Sequence, residues 1–247
     1  MRTVEETLDE ALRVALRLAA PPGLTVAGRT DAGVHARRQV VHVDVPSAAW
    51  EAVADRLVMR LRGLLPDDIR VTSASLAPSH FDARFAATSR RYAYRVSDAS
   101  GGVDPIRRRD VLWNHRPLDV LAMNEAAAQL LGEHDFASFC RKREGASTIR
   151  RLTTFRWSRE PDSLIVGCVV ADAFCHNMVR SLVGACIAVG EGRREAIWPA
   201  DVLAQVSRSS SVAVAPAHGL TLEEVTYAPL EKLEQRQRET RARRSPS

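Results

Sequence analysis

Hydrophobic side chains recur every three or four residues at the start of the chain. Val4, Leu8, Leu12, Ala15 and Leu16 share one face, with Glu5, Glu6, Asp9 and Arg13 elsewhere, which predicts a helix over residues 3–20. Pro21-Pro22-Gly23 stops it, and Leu24–Ala27 is a short strand candidate. Val41, Val43 and Val45 alternate with His42 and Asp44, which predicts a half-buried strand over Gln39–Val45 ended by Pro46. Ser47 is positioned to cap a second amphipathic helix running to about Arg62. Strands are predicted at Ile69–Leu76 and Ala86–Ser97, and Asp98-Ala99-Ser100-Gly101-Gly102 has the composition of a loop between two halves. The pattern then begins again. A strand at Asp110–Asn114, a helix at Leu118–Leu131, strands at Ile149–Arg159 and Ser163–Ala171, helices at Asn177–Val189 and Pro199–Ser207, and a strand at Leu222–Tyr227 follow. Interleaved helices and strands with no dinucleotide-type glycine fingerprint give an α+β class, arranged as two sheet-and-helix halves over 1–98 and 99–228. Residues 229–247 form a charged tail expected to be disordered.

Composition changes this picture little. Hydrophobic residues at 45% and charged ones at 26% are ordinary for a globular protein. No run approaches ~18 apolar residues, so no membrane span is expected. The acidic residues of the first turns argue against a signal peptide, which leaves a cytoplasmic setting as the default. Cys140, Cys168, Cys175 and Cys186 form no Cys-x-x-Cys pair and read as small core residues, so neither a zinc site nor a disulfide framework is expected.

Charge needs locating before it argues for a partner. Of the net +5, residues 231–244 supply +3, through Lys232, Arg236, Arg238, Arg241, Arg243 and Arg244 against Glu231, Glu234 and Glu239. Clustering says more: Arg37-Arg38, Arg90-Arg91, Arg107-Arg108-Arg109, Arg141-Lys142-Arg143 and Arg150-Arg151 could track a phosphate backbone if they lie on loops. The alternative is scattered, solvated arginines.

The turn Gly28-Arg29-Thr30-Asp31-Ala32-Gly33 stands between two strand candidates. Two glycines allow a sharp bend and a close approach by a ligand. Taken locally, it is an Asx-type turn with a charged tip; no Gly-Lys-Ser/Thr follows, so it is not a phosphate loop. His35, His134 and His176 have no metal-ligand spacing and read as polar loop or core residues.

The longer segment Gly28-Arg29-Thr30-Asp31-Ala32-Gly33-Val34-His35 resembles the signature of the tRNA pseudouridine synthase A family. The similarity continues through Phe81–Tyr94, Gly132–Phe139, Ala173–Gly184 and Ala217–Leu220, five blocks in order over most of the chain. The resemblance implies two ferredoxin-like sheet-and-helix domains facing a central active-site cleft. It implies a homodimer acting, with no cofactor and no metal, on uridines 38, 39 and 40 in the anticodon arm of tRNA. In that reaction the C1′–N1 bond breaks, uracil turns, and a C1′–C5 bond forms.

Residue by residue, Asp31 matches the family's essential aspartate, nucleophile or base in the first step. An aspartate is ionised at neutral pH, so its neighbours must supply position rather than deprotonation. Arg180 matches the arginine that pairs with it, where a bidentate fork could orient the carboxylate. An arginine among Met178, Val179, Leu182 and Val183 is rarely left unpaired; the alternative is a snorkelling surface arginine. Tyr92 matches the active-site tyrosine, able to stack on a flipped uracil or join the proton transfer from C5, whereas an ordinary strand tyrosine packs. Tyr94, on the same face, is the weaker candidate. Arg29 matches an arginine that helps expel the base, and Leu220 an apolar wall of the uracil pocket.

The family normally opens with a strand carrying a Tyr-Asp-Gly turn and a Gly-Trp-Gln segment, whereas this sequence opens at the first helix. That first strand is expected in the reading frame upstream of Met1. The alternative is a truncated paralogue that binds tRNA as a chaperone without chemistry. A hydrolase of small nucleosides would also use an acidic nucleophile, but it leaves the arginine clusters unexplained.

Overall fold

A computed structural model describes residues 2–78, 80–141, 147–207, 211–233 and 235. In chain order its elements are α1 (Val4–Ala15), β1 (Thr25–Val26), β2 (His35–Ala36), β3 (Val41–His42), α2 (Ser47–Glu51), α3 (Leu57–Leu64), β4 (Ala87–Ser97) and β5 (Leu112–Trp113). They continue with α4 (Val120–Ala128), β6 (Gly132–Asp135), β7 (Ile149–Arg159), β8 (Ile165–Ala171), α5 (Met178–Gly190), α6 (Trp198–Ala204) and β9 (Leu220–Tyr227). The class is α+β. Lys142 and Arg143 and most of the charged tail lie outside the described residues.

Two structural units are distinguished. The first comprises the described residues up to Ala27 together with Val40–Arg84. A capping box opens α1: the Thr3 hydroxyl accepts from the Glu6 N–H (3.1 Å), and the Glu6 carboxylate accepts from the Thr3 N–H (3.3 Å). Leu8, Ala11, Leu12, Ala15 and Leu16 then bury against Leu57, Leu61, Leu65 and Ile69. The helix ends short of residue 20. Arg17 turns left-handed (φ 55°), and the Arg17 and Leu18 N–H groups bond back to the carbonyls of Val14 and Arg13, which satisfies the last turn as a Schellman motif does.

Two expectations for this unit are corrected. The continuous helix from Ser47 is divided into α2 and α3, with Pro46 rather than Ser47 at the N-cap. The break is at Val53 (φ −138°, ψ −1°), which leaves helical geometry while its side chain joins the core. Ile69–Leu76 is no strand. The Ile69 N–H bonds to the Pro66 carbonyl (3.0 Å) and Leu76 is exposed, so the alternation has no ladder to join.

The second unit comprises Gly28–Gln39 and the described residues from Phe85 onward. Its sheet runs β2-β9-β4-β8-β7-β6, with β5 also pairing β4. The β2–β9 and β4–β5 pairs are parallel and the rest antiparallel, so the sheet is mixed. Strand β8 alternates strictly, burying Ile165, Gly167, Val169 and Ala171, as a period of two requires. Helix α4 is capped by Asp119, whose carboxylate accepts from the Leu121 and Ala122 N–H groups. It docks on β7 through Asn124, whose amide donates to the Trp157 carbonyl (2.9 Å) and accepts from the Trp157 N–H (2.8 Å).

The cysteines also require a correction. Cys168 and Cys186 are free, but Cys140 and Cys175 are joined as a disulfide with Cα atoms 5.8 Å apart. Their separation of 35 residues gives no local signature, and only the fold brings the two loops together.

Candidate active site

Every residue singled out as a site candidate belongs to the second unit. The Asp31 loop is pinned at both ends. Its base is closed by the Gln39 amide, which donates to the Gly28 carbonyl (2.7 Å). Its tip turns through a bond from the Val34 N–H to the Asp31 carbonyl (3.0 Å). Gly33 is favoured there by its φ of +82°, and a Cβ would also lie a tight 3.3 Å from that of Ala217. The exit joins the sheet, with β2 parallel to β9 and the Arg37 N–H on the Leu222 carbonyl (2.8 Å). A ring nitrogen of His35 lies 2.6 Å from the Arg109 carbonyl, tying the loop to the segment before β5.

Arg180 comes to this loop from α5, in which it alone is not buried. Gly184 explains how α5 reaches so far: a Cβ there would fall 1.9 Å from the Ala213 carbonyl oxygen, so only glycine admits the 213–215 segment. That approach lets Arg180 Nε donate to the Ala215 carbonyl (2.7 Å), while Nη1 donates to Asp31 Oδ2 (3.0 Å). Arg180 and Asp31 are therefore brought together, but through one nitrogen rather than the expected bidentate fork. Asp31 keeps 27% side-chain exposure against 19% for Arg180, leaving the carboxylate reachable from solvent.

Its second oxygen meets a residue whose sequence context predicts a polar loop or core position. His176 Nε2 lies 3.3 Å from Asp31 Oδ1. The turn that presents it ends in Asn177, the N-cap of α5, at φ 68°, a left-handed conformation that asparagine tolerates. The spacing of four between His176 and Arg180 was the available signal, but it has meaning only once the turn is known.

Tyr92 is buried in mid-β4 between Val169 and Leu222, its ring edge-on to Phe174 at 5.2 Å. Burial pushes its phenol up to about 12; the Arg90 charge opposes this and the Asp31 carboxylate adds to it. Tyr94 is fully buried and its hydroxyl donates to the Pro216 carbonyl (3.0 Å), so its polar end is already occupied. Leu220 is buried at the start of β9, in register with Tyr94. Arg29 is exposed, two residues before Asp31.

The arginine clusters divide. Arg90 is buried and donates to the Asp172 carbonyl (2.7 Å), Arg91 pairs with Glu224 (3.0 Å), Arg107 with Asp110 (2.8 Å), and Arg151 with Glu133 (3.1 Å). Arg38, Arg109 and Arg141 are exposed, as are Arg37, which pairs with Glu223 (3.6 Å), and Arg108, which donates to the Pro105 carbonyl (2.7 Å). Among the described residues no group of three or more His, Cys, Asp or Glu side chains could hold a metal.

Residues 126–228 match the family model described as tRNA pseudouridine synthase. A tRNA pseudouridine synthase A of Streptomyces griseus is 58% identical over 227 residues, covering 92% of this chain and 80% of the relative. The chain belongs to the tRNA pseudouridine synthase A family. Relatives of that name from Streptomyces avermitilis (56% identical over 245 residues) and Cutibacterium acnes (50% over 246) each cover 99% of this chain, and 86% and 87% of their own length. The span matched to the family model contains His176, Arg180 and Leu220; the longer alignments take in the Asp31 loop and Tyr92 as well.

Proposed function

We propose that this chain isomerises uridine to pseudouridine in tRNA, at positions 38, 39 and 40 of the anticodon arm, with Asp31 as nucleophile or base in the first step. The observation that carries this reading is a reachable carboxylate on a pinned loop, held by an arginine from an otherwise buried helix. The target nucleotide leaves the stack to reach it, at a cost of a few kcal/mol, and we assign the expulsion of the base to Arg29, exposed two residues before Asp31. Uracil detaches as C1′–N1 breaks, turns, and rejoins as C1′–C5; the proton lost from C5 balances the one gained at N1. Tyr92 stays a neutral phenol at working pH, since its titration is pushed up to about 12. We assign it the face on which the flipped uracil stacks, with its hydroxyl able to take part in the proton transfer from C5. Leu220 supplies an apolar side of the same pocket.

As the finer architecture we propose what the resemblance implies: a homodimer in the cytoplasm, with two ferredoxin-like halves in each chain. Among the described residues no helix is long and apolar enough to cross a membrane. Tritium at C5 of uridine is released when C1′–C5 forms, which gives a direct assay. The Asp31→Asn protein is expected to bind tRNA about as well as the wild type and to release no tritium. Release by that variant would remove Asp31 from its role, and binding without release by the wild type would make the chain a tRNA binder instead.

A further inference from the structure

Arg180 does not by itself fix the Asp31 carboxylate. Its Nε donates to the Ala215 carbonyl, and it meets the carboxylate through Nη1, on Oδ2. A single contact holds one oxygen but leaves the carboxylate plane free to turn about Cβ–Cγ, a torsion that is intrinsically broad. A group that must present one oxygen to a sugar carbon needs that plane set. The other oxygen faces the Nε2 of His176 at 3.3 Å.

We infer that His176 is a positioning residue that, with Arg180, clamps Asp31 by both oxygens and so orients the carboxylate for the C1′ step. The inference rests on the uridine-isomerising reading above. An ionised carboxylate only accepts hydrogen bonds, so the arrangement requires the His176 proton on Nε2. The histidine is well anchored for the task. Its own carbonyl accepts from the Arg141 N–H (2.9 Å), Cys175 before it is bonded to Cys140, and the Met178 N–H closes the turn on the Cys175 carbonyl (3.0 Å). Its side chain keeps 38% exposure, so substitution removes little packing. The backbone is tied on both sides and the ring is not buried, which is the combination a positioning group needs next to an open site.

The experiment compares His176→Leu with His176→Gln, whose side-chain N–H can take the place of Nε2–H. Tritium release is followed in single turnovers over a range of enzyme concentrations, which separates the rate at saturation from the half-saturating concentration. His176→Leu is expected to slow the saturated rate by about 10- to 100-fold, the scale of a small misplacement of a reacting group. Its half-saturation and its melting temperature should stay near those of the wild type, and His176→Gln should recover most of the rate. Equal losses in the two variants, an effect on half-saturation alone, or no effect would each overturn the clamp. If the wild type releases no tritium, the reaction reading fails and the contact is still open to test. The ¹⁵N resonance of His176 Nε2, assigned by its loss in His176→Gln, must move on Asp31→Asn, and an unmoved resonance overturns the clamp.

Discussion

Arg180 divides one guanidinium between two acceptors on different segments, the Ala215 carbonyl and the Asp31 carboxylate. Lysine carries the same charge on a single nitrogen and cannot hold both at these angles. Arg180→Lys is therefore expected to fold but to lower the saturated rate of tritium release by roughly 100-fold, because the carboxylate drifts when its anchor does. A rate within a few-fold of the wild type would show that charge alone suffices at this position. At this scale the sequence was informative only in part. Asp31, Arg180, Tyr92, Arg29 and Leu220 stood out through the family resemblance; by local chemistry, Asp31 is a turn residue and Tyr92 a packing residue. His176 was passed over because its contact depends on Asn177 adopting a left-handed conformation, which nothing in the neighbouring residues announces.

Elements with long, regular alternation were legible. Strand β7 has the predicted bounds, and β4, β8 and α5 differ from theirs by one or two residues, since a sustained period of two or 3.6 leaves few other ways to bury the apolar face. Strands β2 and β6 are two and four residues long, too short for any period, and exist through partners far away in sequence. Ile69–Leu76 shows the converse, an alternation without a partner. One junction between elements yields a pH prediction. The Asp98 carboxylate, following β4, accepts from both terminal nitrogens of Arg159 at the end of β7 (2.8 and 2.9 Å) and from the Leu118 N–H before α4 (2.9 Å). The Arg159 hydrogen bond, offset by burial and helped by the Leu118 N–H, holds its titration below the ordinary aspartate value. A carboxyl so depressed contributes stability above its unfolded pKa and loses it as pH falls through the folded one. Asp98→Asn should therefore lower stability by about 1–3 kcal/mol at pH 7. Urea unfolding repeated at falling pH should show the gap to the wild type narrowing below about pH 4. A gap that stays constant would mean that Asp98 acts through shape rather than charge.

For the molecule as a whole, net charge is a poor guide to RNA binding and the placement of arginines a better one. The formal +5 is concentrated in the tail, and Arg90, Arg91, Arg107 and Arg151 are engaged within the protein. The exposed Arg38 and Arg109 lie on two segments joined by the His35 contact, next to the Asp31 loop. An anionic backbone crossing the site would meet these first, releasing a counterion at each phosphate neutralised. Arg38→Ala and Arg109→Ala should each weaken tRNA binding and reduce the slope of log Kd against log salt by about 0.7 to 0.9. The tritium-release rate at saturating enzyme should hold, because neither side chain touches the carboxylate. Arg91→Ala serves as the internal control: it removes the same charge from a side chain that already faces Glu224 (3.0 Å), so the slope should scarcely change. If Arg91→Ala flattened the slope as much as Arg38→Ala or Arg109→Ala, total charge rather than position would govern binding, and the anionic track beside the Asp31 loop would have to be placed elsewhere on the surface.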